Sequence, residues 1–144
     1  MAHQAIGILD SGVGGLTVVK ELFRQLPRER LVYFGDTSRC PYGPREASEV
    51  EAFTYQIINY LLQYNLKMLV IGCNTATAVV FPVVKSRFYF PVVGVINPGA
   101  RAAIKATKNG RVGVIGTAGT IRSQSYVKAL HNVNPDLNVT GLAC

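Results

Sequence analysis

Short apolar runs alternate with longer stretches of helical period along this chain, and this alternation limits the fold more than any other feature. The runs are rich in Val and Ile, and such runs predict buried strands. They cover residues 5–9, 31–34, 68–71, 92–95, 112–115 and 139–142. Because each right-handed crossover must pack a helix back onto the sheet, the alternation predicts a doubly wound α/β fold, a parallel sheet with helices on both faces.

The segments between these runs predict amphipathic helices. The first has one apolar face, formed by Leu16, Val19, Leu22, Phe23 and Leu26. The second has another, formed by Val50, Phe53, Ile57, Ile58, Leu61 and Leu62. Further helices are predicted over residues 75–85, 100–107 and 120–131. Asn97-Pro98-Gly99 interrupts the pattern, so we expect a domain joint there.

Composition narrows the functional classes. Hydrophobic residues make up 49% of the 144 residues and charged residues 16%, which is typical of a globular protein. No uncharged apolar run reaches the roughly 20 residues of a membrane span, so a cytoplasmic location is predicted. The net charge is +7, but the basic residues are scattered, which favours a solvated surface or a small anionic substrate over nucleic acid.

Ligands of open α/β sheets bind beyond the carboxyl ends of the strands, so the loops at those ends are the first candidates for a binding site. They are rich in small polar residues and cover residues 10–15, 35–43, 72–75 and 116–120. The glycine-rich turn after Asp10 does not match the dinucleotide pattern GxGxxG, because Thr17 stands where the third glycine is required. An anion remains an alternative ligand for this turn.

Cys73 lies between a predicted strand and a predicted helix, where backbone N–H groups would stabilise a thiolate. A reactive thiol and a buried structural cysteine are both compatible with that position. Asn74, Thr75 and Thr77 favour the first, since a structural helix start needs only one capping side chain and neutral donors suit a carboxylate ligand.

The other candidate groups point to structural roles or remain open. Cys40 and Cys144 are predicted to be structural, and the cysteine spacing predicts neither a metal site nor a disulfide framework. His3 and His131 offer no clear partner for a nucleophilic cysteine. Asp10 could orient an ammonium group or act as a base, whereas Asp36 is predicted to bond within its own loop.

Six motifs in order resemble the bacterial glutamate racemase family over nearly the whole chain. They are Asp10-Ser11-Gly12-Val13-Gly14-Gly15-Leu16-Thr17, Gly35-Asp36-Thr37, Cys40-Pro41-Tyr42-Gly43, Cys73-Asn74-Thr75-Ala76-Thr77, Pro91-Val92-Val93-Gly94-Val95 and Gly113-Val114-Ile115-Gly116-Thr117. The resemblance implies interconversion of L- and D-glutamate for peptidoglycan without pyridoxal phosphate or metal. One cysteine removes the alpha proton and a second supplies a proton on the opposite face.

The resemblance also implies roles for single residues. Cys73 matches the first catalytic cysteine, and Asp10 would assist it. Asp10 and Ser11 would meet the substrate amino group, and Tyr42 and Gly43 would line the pocket. The substrate carboxylates would be held by Asn74, Thr75, Thr117 and Thr120.

The family's second cysteine lies in a downstream Gly-Cys-Thr-His-Tyr-Pro run that these residues lack, so the chain is expected to be a fragment that is inactive alone. By resemblance, residues 1–97 form a first α/β domain without its carboxyl-terminal return, and residues 98–144 open a second, pseudo-symmetric domain. A homodimer of the full-length protein is one alternative for its oligomeric state. Two other functions remain open: racemisation of aspartate or a related substrate, and non-catalytic binding of an amino acid or anion.

Overall fold

The computed structural model describes residues 4–144, so His3 lies outside the described part. The strands are β1 (Ala5–Asp10), β2 (Arg30–Gly35), β3 (Leu66–Ile71), β4 (Val92–Gly94), β5 (Arg111–Gly116) and β6 (Asn138–Ala143). The α-helices are α1 (Leu16–Gln25), α2 (Ala47–Leu61), α3 (Asn74–Val84), α4 (Ile96–Ala106), α5 (Ala118–Arg122) and α6 (Ser125–His131). All six predicted strands are confirmed, with ends that shift by one or two residues.

The first four strands form a parallel sheet in the order β2-β1-β3-β4. Helices α2 and α3 cover one face, where Val50, Ile58 and Val80 join a core that includes Leu9 and Leu69. Helix α1 covers the other face. The predicted α/β fold with a parallel sheet and helices on both faces is therefore confirmed.

The predicted apolar face of α1 is only partly correct. Val19 and Leu22 pack against Ile6, Ile8 and Val70, and Val18 joins them. Leu16, Phe23 and Leu26, in contrast, are 49%, 54% and 41% exposed. The helix turns through 100° per residue, so the side chains that flank the contact line point away from the sheet.

A separate sheet pairs β5 with β6 in parallel. Its strands were predicted to be buried, which is wrong: residues in β5 alternate between exposed and half-buried, and most of β6 is exposed. The reason is that α4 and α6 cover one face of this sheet, where Ala100 and Leu130 pack in one cluster with Val112 of β5. In contrast, Ile115 and Leu142 are 73% and 63% exposed.

Two predicted helices have different bounds in the structure. Asn97-Pro98-Gly99 does not interrupt α4 but lies in its first turns, where proline is tolerated because the first amides have no partner within the helix. The predicted helix over residues 120–131 is divided into α5 and α6. Gln124 adopts a left-handed conformation (φ 52°) at the break, and the Ser123 hydroxyl accepts the Ser125 N–H.

None of the helices described between residues 4 and 144 combines the length and apolar character needed to cross a membrane.

Candidate functional site

A cavity of about 770 Å³ lies between the two sheets, at the carboxyl ends of β1, β3 and β5. In the first sheet the chain leaves β1 toward β2 on one side, and leaves β3 toward β4 on the other. Such a reversal separates the loops and creates a crevice, which is where open α/β sheets bind ligands. The cavity wall includes every predicted site residue: Asp10, Ser11, Tyr42, Gly43, Cys73, Asn74, Thr75, Thr117 and Thr120.

Cys73 is the N-cap residue of α3, and its side chain is nearly buried at 7% exposure. The Ala76 N–H donates to Cys73 Sγ over 3.4 Å. Cysteine is not among the residues that helix N-caps favour, which are Ser, Thr, Asp and Asn. The Cys73 sulfur thus faces the backbone amides at the start of α3 and also lines the cavity, so a ligand in the cavity can reach it.

The Asp10 carboxylate organises the glycine-rich turn. Its Oδ2 accepts the N–H of Gly12 over 3.1 Å and the N–H of Gly15 over 3.0 Å. The anion held by these two amides is therefore the chain's own carboxylate. Gly15 is required by close approach, because a Cβ there would lie 2.7 Å from Asp10 Cβ.

Tyr33 also contacts the glycine-rich turn. Its hydroxyl donates to the Gly12 carbonyl oxygen over 2.7 Å. Burial, together with the neighbouring Asp10 charge, raises the pKa of Tyr33 to about 12.

Three threonine hydroxyls from both sides of the cavity form a cluster. Thr75 Oγ1 lies 2.9 Å from Thr117 Oγ1 and 3.3 Å from Thr120 Oγ1, and the last two atoms are 3.1 Å apart. Thr75 is the second residue of α3, whereas Thr117 caps α5. The hydroxyls can rotate to donate to an anion, so the cluster suits a carboxylate. Thr77 does not contribute, because its hydroxyl donates to the carbonyls of Ile71 and Cys73.

The side chains of Asp36 and Tyr42 form a hydrogen bond with each other. The Tyr42 hydroxyl donates to Asp36 Oδ2 over 2.5 Å, and the Arg39 Nε–H donates to the same oxygen over 2.6 Å. Burial and the Asp36 hydrogen bond raise the pKa of Tyr42. The prediction that Asp36 bonds within its loop is confirmed, and Tyr42 lines the cavity with its hydroxyl already engaged.

Gly43 connects the first sheet's loops to the second sheet. Its carbonyl oxygen accepts the Gly119 N–H over 3.3 Å, and a Cβ at position 43 would lie 2.4 Å from both Cβ and Cγ2 of Thr117. Only glycine allows this approach without displacing Thr117 from the cluster.

Gly43→Ala is expected to lower the free energy of unfolding by about 1–3 kcal/mol, because the added methyl group overpacks the contact with Thr117. Urea denaturation followed by circular dichroism measures the change. Gly113→Ala is the matched control, since a Cβ at Gly113 meets no atom within 4 Å. Equal losses of stability in the two variants would contradict the steric account.

The other two cysteines are exposed rather than buried. Cys40, for which the sequence predicts a structural role, lies in the cavity wall, with Sγ 3.3 Å from the position that a Cβ of Gly12 would occupy. It lies in the loop after β2, outside the first sheet's core. Cys144 follows β6 instead of lying inside a buried strand, and its thiol donates to the Gly116 carbonyl oxygen over 3.6 Å.

Sequence reasoning missed Tyr126, whose hydroxyl contacts Asn74 and which also lines the cavity. The two residues are 52 positions apart, so no local pattern connects them. The only signal in the sequence is the presence of a tyrosine on a helix that follows the loop of Thr117 and Thr120.

Comparisons with known proteins agree on one family. The family model described as Asp/Glu/Hydantoin racemase matches residues 6–138. A glutamate racemase from Oceanobacillus iheyensis is 59% identical over 141 residues, which cover 98% of this chain and 52% of the relative.

Solved structures give the same result. A glutamate racemase isoform from Bacillus anthracis superposes with a TM-score of 0.97 at 53% identity, over 100% of this chain and 54% of that one. A glutamate racemase from Francisella tularensis, solved in complex with D-glutamate, gives a TM-score of 0.89 at 36% identity, over 98% and 53% of the two chains. The chain thus spans about half the length of the relatives it matches.

Proposed function

This chain belongs to the Asp/Glu/Hydantoin racemase family, and from that premise we propose that the protein interconverts L- and D-glutamate by proton transfer at the alpha carbon. The observation that carries the proposal is the position of Cys73. Its sulfur accepts an amide at the start of α3, in the same cavity wall as Asp10 and the threonine cluster. The three relatives described above are glutamate racemases at 36–59% identity, which favours glutamate as the substrate.

The residues of the cavity wall have different roles in the proposed reaction. The Cys73 thiolate takes the alpha proton from one face of the substrate, and as a thiol it returns a proton to that face. The Asp10 carboxylate, together with Ser11, receives the substrate ammonium group. Asn74, Thr75, Thr117 and Thr120 donate to the carboxylates. Fixed donors of this kind stabilise the negative charge that grows at the alpha carbon. By family resemblance, the proposed reaction uses no metal or organic cofactor.

Inversion requires a second acid on the opposite face of the substrate, and by family resemblance this is another cysteine. We place it outside these 144 residues, in keeping with relatives about twice as long. Residues 1–97 then form an incomplete first domain, and residues 98–144 open the second. The four-stranded and two-stranded sheets support this division. The reaction would supply D-glutamate for peptidoglycan and would take place in the bacterial cytoplasm.

Residues 1–144 expressed alone are expected to racemise glutamate no faster than the same chain with Cys73→Ser, because one face of the substrate lacks a thiol. Circular dichroism of L- and D-glutamate solutions measures the loss of optical activity. Rapid racemisation of both enantiomers by residues 1–144 would contradict the assignment of the second thiol and would make Cys40, in the same cavity, the first residue to test.

The proposed substrate is tested on the full gene product by comparing racemisation of glutamate and aspartate. We expect kcat/KM to be higher for glutamate. A preference for aspartate would assign the protein to another reaction of the same family.

A non-catalytic amino-acid-binding module is the second candidate, because Cys73 is the one cysteine of these 144 residues that caps a helix, and the second thiol of the proposed reaction is not among them. Iodoacetamide separates the two functions in a Cys40→Ser, Cys144→Ser background. A catalytic Cys73 should be alkylated faster than a free thiol near neutral pH, and glutamate should protect it. Alkylation at or below the rate of a free thiol would favour the binding module.

A further inference from the structure

The Tyr126 hydroxyl donates to Asn74 Oδ1 over 2.7 Å. Asn74 is the first residue of α3, which packs on the four-stranded sheet, and Tyr126 lies in the first turn of α6, which packs on the β5–β6 sheet. Both residues line the large cavity. This hydrogen bond therefore joins the two halves of the cavity wall at a side chain that belongs to the proposed carboxylate site.

The surroundings of Tyr126 fix its hydroxyl at this point. A Cβ at Gly99 would lie 3.1 Å from the Tyr126 hydroxyl oxygen and 3.3 Å from the ring carbon Cε1. Gly99 thus leaves room for the ring between α4 and α6. Ala103 and Val114 belong to the same apolar cluster as Tyr126. Burial raises the pKa of the Tyr126 hydroxyl further above physiological pH, where a tyrosine is already a neutral donor.

The direction of the hydrogen bond decides what Asn74 can offer a ligand. A carboxamide has one accepting oxygen and one donating NH₂ group. Because Tyr126 donates to the oxygen, the groups left for a ligand in the cavity are the two N–H bonds of Nδ2. These are the groups that a carboxylate requires.

We propose that Tyr126 is a positioning residue, which holds the Asn74 carboxamide so that its N–H groups are presented to a substrate carboxylate. The inference rests on the proposed function and extends it to a residue on the second sheet's side of the cavity. Tyr126 acts through Asn74 and does not touch the reacting atoms. Its loss should therefore weaken substrate binding more than it slows the chemical step.

Tyr126→Phe in the full gene product keeps the ring and removes the donor. We expect KM for both enantiomers to rise about 2- to 10-fold, the value of one hydrogen bond, and kcat to stay within about twofold. Calorimetric Kd values for glutamate should rise by the same factor. Tyr60→Phe is the matched control. It removes an exposed hydroxyl that bonds to Tyr64, and Tyr60 lies in α2, outside the cavity wall.

A double-mutant cycle with Asn74→Ala separates positioning from a general structural role. If Tyr126 acts through Asn74, Tyr126→Phe should raise KM no further once Asn74 is replaced. Additive effects of the two substitutions, an unchanged KM in Tyr126→Phe, or an equal change in Tyr60→Phe would each overturn the proposal.

Measurements on the wild-type protein distinguish failure of the positioning role from failure of the proposed function. If the wild-type protein neither binds nor racemises glutamate, this result contradicts both the proposed function and the positioning role of Tyr126. If the wild-type protein binds glutamate and the Kd is unchanged in Tyr126→Phe, this result contradicts the positioning role of Tyr126 alone.

Discussion

Cys73→Ser in the full gene product is expected to reduce kcat for racemisation by about 10²- to 10⁴-fold in both directions, the range that general acid–base groups contribute. A serine hydroxyl can replace the sulfur as an N-cap, and oxygen is the better acceptor there. The substitution therefore leaves α3 intact and removes the thiol that we propose as the base. The free energy of unfolding should remain equal to that of the wild type or rise slightly.

Cys144→Ser is the matched control for this variant. Cys144 is exposed after β6, and its thiol donates a hydrogen bond to the Gly116 carbonyl oxygen. The same chemical change at this position should leave kcat unaltered. A Cys73→Ser protein that keeps more than about a tenth of the wild-type kcat would contradict the role of Cys73 as a base.

Two substitutions at Asp10 are expected to separate its charge from its structural role. Asp10→Asn keeps an oxygen that can accept the amides of Gly12 and Gly15, so stability should change little. The loss of the negative charge should lower kcat/KM for glutamate by about 10- to 100-fold, because a charge-assisted contact with the substrate ammonium group becomes a neutral one.

Asp10→Ala should also destabilise the fold. It leaves two buried amides without an acceptor, each at a cost of about 1–3 kcal/mol. Denaturant unfolding and steady-state kinetics on both variants measure the two effects. Asp136→Asn, an exposed position, controls for the change in net charge. Equal stability of the Asn and Ala variants, or wild-type kcat/KM in Asp10→Asn, would contradict this division of roles.

The sequence predicted the first sheet and its loops well, because both depend on local patterns. Apolar runs such as 5–9 correspond to strands, and small polar residues such as Asp10 and Cys73 follow them at the sheet's carboxyl edge. The parallel arrangement then brings these residues together without any information on side-chain contacts. Cys73 as a helix N-cap follows from that arrangement.

Features that depend on the surroundings of an element could not be predicted in the same way. The exposure of Ile115 and Leu142 reflects which face α4 and α6 cover, and β-branched and aliphatic residues in a run do not encode that choice. The break between α5 and α6 depends on how the Ser123 side chain bonds. The contact of Tyr126 with Asn74 joins distant segments and requires the fold to be known.

Deuterium exchange at the alpha carbon tests the central claim, that Cys73 is one of two thiols on opposite faces of the substrate. The measurement follows L- and D-glutamate separately in D₂O with the full gene product and its Cys73→Ser variant. We predict that the wild type labels both enantiomers and racemises them. The variant should racemise neither, and should exchange the alpha proton of one enantiomer only, through the remaining thiol. Exchange of both enantiomers by the variant at wild-type rates would contradict the account.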